Sequence, residues 1–209
     1  MLLSEAKNLL STEEALATVR AVRGANDVVV TTMSPAKVWV DLCGGPGGLH
    51  PLDFVFVPSC MSHATSVGLG IALAQPKRRV IVCNGDGSML MNLGSLVTIT
   101  TAAPDNLAVI VFDNGVYEVT GSQPTPGAAS VRHAARELDW GAIAQSCGFG
   151  SVYRYSTARE WSANAGKALA SPGPVFIALD IEVRRDRPAP KSPGPAAARA
   201  RAFKSALTR

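Results

Sequence analysis

The chain has 209 residues, 47% hydrophobic and 17% charged, with a formal net charge of +4. That is enough sequence for one sizeable hydrophobic core, and no apolar run approaches the roughly 20 residues that cross a bilayer. The charge is uneven: residues 184–209 hold eight basic side chains and one acidic, a local +7 that leaves the first 183 residues at −3. A mildly acidic body with a basic tail argues against a nucleic-acid-binding face on the fold itself. The N-terminus lacks the basic segment and apolar core of a signal peptide, so a cytoplasmic location is expected. Cys43, Cys60, Cys83 and Cys147 are too scattered for a zinc or iron–sulfur site and read as reduced thiols. His50, His63 and His133 form no ligand pattern either.

Along the chain, residues 4–22 read as helical, although Ser11-Thr12-Glu13-Glu14 could instead cap a second, shorter helix. A strand is expected at 27–31, a short helix beginning at proline at 35–42, and a second strand at 54–57. Residues 62–75, rich in Ala, Gly and Leu, read as a buried helix. The continuous apolar run at 80–83 reads as a strand covered on both faces. A helix over 88–101, a strand at 107–112 and a polar loop over 114–130 follow. Then come a helix at 139–147, a short strand at 151–153, a helix at 157–170 and a last strand at 174–181. Strands alternating with helices, and too apolar for a one-sided sheet, predict a three-layer α/β/α sandwich with a mainly parallel central sheet. Residues 1–183 are expected to form this domain and 184–209 a basic, Pro/Ala-rich tail. Its helical segment, 196–207, is expected to lack an apolar face that would dock it firmly.

Two segments follow apolar strands at the sheet edge where parallel α/β folds bind ligands. These are Asn84-Gly85-Asp86-Gly87-Ser88 and Asp113-Asn114-Gly115-Val116-Tyr117. They bracket one helix, so a single strand–helix–strand unit carries both loops to the same edge. Asp86 and Asn114 are then brought together although 28 positions apart. A carboxylate, an amide oxygen and backbone carbonyls are hard ligands suited to magnesium. Gly85 and Gly87 permit a sharp turn, and Ser88 begins a helix whose free N–H groups favour a phosphate. The reading is a magnesium-diphosphate clamp; neither a P-loop nor a dinucleotide fingerprint occurs.

Gly85-Asp86-Gly87, a spacer in the mid-twenties and Asp113-Asn114 resemble the motif of thiamine-diphosphate enzymes. The resemblance implies that Asp86, the Asn114 side chain and the Val116 carbonyl ligate Mg2+, and that Ser88 contacts the diphosphate. Ser59 to Gly70 is similar to the family's Gly-Ser-Met-Gly-His-Ala segment. It implies that Met61 props thiamine diphosphate in a bent shape and that the Ser59 carbonyl accepts from its amino group. Ser59 and Ser62 stand where relatives have glycine, and ordinary core filling is the plainer reading of Met61. His63 is a candidate acid/base group or a helix-capping histidine. The span 28–181 resembles one branch in particular, the cofactor-binding subunit of sulfopyruvate decarboxylase and the matching half of phosphonopyruvate decarboxylase. By that resemblance Tyr117, Glu118, Thr120 and Gln123 face the active site, with Glu118 a catalytic candidate and Tyr117 a cofactor contact.

In that family an activating glutamate comes from a separate pyrimidine-binding domain, and the 84 residues before Gly85 leave no room for one. The resemblance therefore implies a chain inactive alone, in a hetero-oligomer with some self-association, whose partner subunit supplies the glutamate. The implied substrate is a small anionic 2-oxoacid. Alternatives are a subunit of an acetolactate-synthase-like or oxoacid oxidoreductase enzyme, or a non-catalytic binding subunit.

Overall fold

The computed structural model describes residues 9–56, 61–128, 138–184 and 192–208. The chain order is α1 (Thr12–Val22), β1 (Val28–Thr32), α2 (Met33–Leu42), β2 (Asp53–Phe56), α3 (Ala64–Ala74), β3 (Val80–Gly85), α4 (Asp86–Leu90), α5 (Gly94–Ala102) and β4 (Leu107–Asp113). A small hairpin, β5 (Val116–Tyr117) and β6 (Gln123–Pro124), precedes α6 (Trp140–Ser146), β7 (Ser151–Tyr155), α7 (Ala158–Leu169), β8 (Val175–Asp180) and α8 (Ala196–Leu207). Six strands form one parallel sheet in the order β2-β1-β3-β4-β8-β7.

The apolar strand runs explain the three layers. With side chains alternating along a strand, Val29, Ile81, Ile110 and Ile177 face α1, α2 and α7, packing with Trp39 and Trp161. Val30, Val82, Val109 and Phe176 face the other way, against Leu69 of α3, Leu96 and Ile99 of α5 and Trp140 of α6. Gly68 permits the close approach of α3, because a Cβ there would overlap the Val82 side chain.

Four expectations change on contact with the structure. The first helix starts at Thr12, with Ser11 as its N-cap: Ser11 Oγ accepts from the Glu14 N–H at 3.1 Å and the Glu14 carboxylate accepts from the Ser11 N–H at 2.9 Å. Residues 1–8 lie outside the described residues. The helix expected at 35–42 begins two residues earlier, at Met33, which adopts a φ of +56°. The single helix expected over 88–101 is two, because Asn92 leaves the helical ladder: its side chain donates to the Ser62 carbonyl at 3.0 Å and its own carbonyl accepts from Ser95.

The fourth change concerns the C-terminal helix. Arg199, Phe203, Ala206 and Leu207 fall on one stripe of α8, and Phe203 is 7% exposed. Its ring packs 4.7 Å from that of Phe54 on edge strand β2. The Arg199 guanidinium donates to the Val55 carbonyl, an outward-facing acceptor of that edge. One buried aromatic suffices to seat the helix once an exposed partner ring is present on the sheet. Phe203→Ala is expected to destabilise the chain by about 3 kcal/mol, the usual loss for a buried Phe. A urea or thermal melt checks this, and an unchanged midpoint would show α8 contributing nothing.

Candidate active site

β2 lies on one side of β1 and β3 on the other, so the chain changes direction in the sheet between β1 and β3. Ligand crevices in parallel sheets open at the carboxyl end of such a switch point. A cavity of about 380 Å³ opens there, at the ends of β1, β3 and β4. Its wall is largely apolar, formed by Met33, Pro35, Met61, Phe112, Val116 and Ile181 among others. Gly85, Asp86, Gly87, Ser88, Asn114, Tyr117 and Glu118 also line it. Among the described residues no basic side chain does.

Asp86 begins α4 and is 3% exposed. Its Oδ2 accepts from the Gly115 N–H at 3.1 Å and from the Thr125 hydroxyl at 3.2 Å, so both the second loop and the end of β6 close on it. Burial first, and neighbouring Asp113 second, push the Asp86 carboxyl up to about 7. Asp113 is itself raised, by burial and then by Asp180. A buried carboxyl on the cavity wall with a half-buried one behind it, and among the described residues no lysine, arginine or histidine lining the cavity, is an arrangement that a divalent cation relieves. Asn114 Oδ1 accepts the Val116 N–H at 3.0 Å, which folds the loop so that Asn114 and Val116 border the same cavity. Among the described residues no group of three or more His, Cys, Asp or Glu side chains gathers, so a cation bound here would take one carboxylate plus neutral oxygens. That donor set fits magnesium, which completes its shell with water and phosphate.

Gly87 is required by its neighbour: a Cβ would overlap the Tyr117 ring, which covers the start of α4. The helix begins at Asp86, two residues before the expected Ser88. Ser88 therefore lies within the first turn, where its Oγ accepts the Ser62 N–H at 2.8 Å. Ser62, standing where the resemblance expects glycine, adopts a φ of +76°. A serine held in the conformation glycine favours is local strain beside the cavity. Ser59 lies outside the described residues.

Glu118 lines the cavity, one oxygen accepting the Arg184 N–H at 3.3 Å and the other, Oε2, buried with no partner among the described residues. Thr120 also borders the cavity, whereas Gln123 is exposed and engages Thr120 instead. His63 is not brought to the cavity: it is exposed at the start of α3, with Nδ1 2.9 Å from the Met61 carbonyl. The sequence reading missed Thr125 and the Met33-Ser34-Pro35 turn. The turn's only signal was its position after β1, beside β3. Asn84, whose buried Oδ1 has no partner among the described residues, is a further polar group that sequence reasoning missed.

Comparison with known proteins agrees with this geometry. Residues 48–179 match the family model for the thiamine pyrophosphate enzyme C-terminal TPP binding domain. The chain is 44% identical over 132 residues to sulfopyruvate decarboxylase subunit beta of Methanothermobacter thermautotrophicus, covering 63% of each chain. It is 38% identical over 158 residues to phosphonopyruvate decarboxylase of Streptomyces hygroscopicus, 73% of this chain and 37% of that one. It thus spans under two thirds of the length of these relatives. In fold it is similar to the thiamine diphosphate-dependent 4-hydroxybenzoylformate decarboxylase of Rhodococcus jostii, with a TM-score of 0.66, 20% identity, and 89% of this chain and 35% of that one covered. Among the described residues no helix is long and apolar enough to cross a membrane.

Proposed function

This chain belongs to the thiamine pyrophosphate enzymes, as one of their C-terminal TPP-binding domains, and from that membership we propose that it is the cofactor-holding subunit of a 2-oxoacid decarboxylase. Its substrate class is the three-carbon 2-oxoacid bearing a further anion, as the names of the sulfopyruvate and phosphonopyruvate relatives suggest. The observation that carries the reading is Asp86: a buried, charge-strained carboxyl at the mouth of an apolar cavity, met by the Asp113-Asn114 loop.

Asp86, the Asn114 amide oxygen and the Val116 carbonyl would hold Mg2+, with Gly85, Gly87, Ser88 and Tyr117 around the diphosphate. Met61, on the cavity wall, and the Ser59 carbonyl would hold the other end of the cofactor. When bound, thiamine diphosphate supplies an electron sink for the pair left behind as carbon dioxide departs. The apolar wall excludes water, and Glu118, which lines the cavity, would handle the proton. His63, exposed at the start of α3 and away from the cavity wall, is given no role in this reading.

The outer face of α3 and α5 supports the partner subunit. No Asp, Glu, Lys or Arg occurs in residues 61–76 or 87–104. Yet Leu73, Met91 and Val97 are 55%, 60% and 53% exposed. A surface helix normally turns charged residues to water, and a helix without them belongs in an interface. Gly70 and Gly94 sit on this face, where a Cβ would meet nothing within the chain, so nothing inside it requires glycine. The face runs to the cavity through Met91, which lines it. A subunit delivering a glutamate to the cofactor would land here.

The test is carbon dioxide release from sulfopyruvate, phosphonopyruvate and pyruvate, by the chain alone and with a pyrimidine-domain subunit added. Release from an anion-bearing substrate by the pair alone is expected. Magnesium-dependent turnover by the isolated chain overturns the two-subunit reading, and no release from any of the three overturns the decarboxylase.

A further inference from the structure

Trp140 does not line the cavity, yet it is tied to the loop that borders it. We infer that its indole N–H is a positioning group for the cation site, holding the Asp113 carboxylate so that Gly115, and with it Asn114 and Val116, stays turned toward Asp86. The inference rests on the reading that Asp86, Asn114 and Val116 hold a divalent cation.

Trp140 is the first residue of α6 and 1% exposed. Asp139 caps the helix by accepting the Ala142 N–H at 3.0 Å, which fixes the direction from which the ring approaches the end of β4. The indole Nε1–H donates to Asp113 Oδ2 at 2.9 Å. The other oxygen, Oδ1, accepts the Gly115 N–H at 3.3 Å, and that same N–H donates to Asp86 Oδ2 at 3.1 Å. One backbone N–H is therefore shared by the buried Asp86 carboxyl and the half-buried Asp113 carboxyl, and the indole supplies a donor to the outer one. The Asp113 carbonyl is already held by the Ile181 N–H at 2.9 Å, so the main chain is fixed there and the side-chain torsion is what remains to be set. Gly115, at a φ of +70°, is a turn whose direction depends on which carboxylate holds its N–H.

Without the indole donor, the Gly115 N–H is the remaining N–H donor to the Asp113 carboxylate among the described residues, and Asp113 competes for it with Asp86. Drawing Gly115 toward Asp113 turns the two residues on either side of it away from Asp86. Trp39 and Trp161 provide internal comparisons: the Trp39 N–H has no partner among the described residues and the Trp161 N–H donates to the Ala15 carbonyl, far from the cavity.

The experiment measures Mn2+ binding to the full chain with thiamine diphosphate, by electron paramagnetic resonance and water-proton relaxation. Trp140→Phe, which keeps the ring and removes the donor, is expected to weaken Mn2+ binding about tenfold, within the range for groups that orient metal ligands, and to alter the Mn2+ spectrum. In an Asp113→Ala background the same substitution should change affinity by less than twofold, because the group it acts through is gone. Additive losses, or a Trp140→Phe affinity equal to wild type, overturn the inference. A measurement needing no variant is the indole 15N–1H spectrum, where adding Mg2+ and thiamine diphosphate should shift the Trp140 signal and leave those of Trp39 and Trp161 in place. An unmoved Trp140 signal likewise counts against it. If wild type binds no Mn2+, or Asp86→Asn binds it as tightly as wild type, the cation-site reading itself fails and the inference falls with it.

Discussion

Asp86→Asn is expected to abolish retention of Mg2+ and thiamine diphosphate while leaving the cofactor-free protein as stable as wild type, or more stable, above pH 7. The two halves have one cause. Asparagine keeps the shape and an acceptor oxygen for the Gly115 N–H and the Thr125 hydroxyl, which now meet Asp86 Oδ2 at 3.1 and 3.2 Å. It lacks the charge that a cation needs, and the loss should be on the order of 100-fold or more, the upper end of what even indirect metal-site substitutions produce. In wild type the folded carboxyl is pushed up to about 7 from an ordinary 3.8. A raised acid favours the folded state only while protonated. Its contribution is complete below the ordinary value and is lost as pH rises through about 7. The cofactor-free wild type should therefore weaken between roughly pH 4 and 7, and Asp86→Asn should flatten that slope. Stabilisation by Mg2+ with thiamine diphosphate should grow over the same interval, since binding must displace the proton. Thermal melts across pH, with and without both ligands, measure all of this. A variant that retains the cofactor, or a wild-type slope of opposite sign, refutes the assignment.

The second large effect concerns assembly. Leu73→Glu and Val97→Glu, each alone, should weaken association with the pyrimidine-binding partner by over a hundredfold. An unpaired carboxylate buried in a contact costs about 3 kcal/mol. Both side chains are more than half exposed in the isolated chain, so neither change should move its melting midpoint appreciably. Arg159→Glu, on the exposed side of α7, serves as the control that leaves association intact. Sedimentation or interferometry with the purified partner reads the affinities. Full-strength complexes from both variants would remove the α3/α5 face as the contact surface and leave the cofactor assignment standing.

Much of this protein is written in short-range pattern. The apolar runs that became β3, β4 and β8 could lie only in a sheet covered on both sides. The spacing from Gly85-Asp86-Gly87 to Asp113-Asn114 fits a single helical crossover between adjacent parallel strands, and with that both loops share an edge. What the sequence by itself determined was thus the layer architecture and the pair of loops. The tertiary structure decided wherever a side chain's partner lies far along the chain. Asn92 breaks a helix because the Ser62 carbonyl, 30 positions away, offers a better bond than the next turn. Phe203 seats α8 because Phe54 stands exposed on an edge strand 149 positions earlier, which no periodicity within 196–207 reveals. Thr125 and Trp140 are 39 and 27 positions from the carboxylates they hold, outside any local motif. A polar group buried by folding must find a partner among whatever the fold brings near. For Asp86 the Gly115 N–H and Thr125 hydroxyl, and for Asp113 the Trp140 indole, come within reach only once the sheet has been assembled.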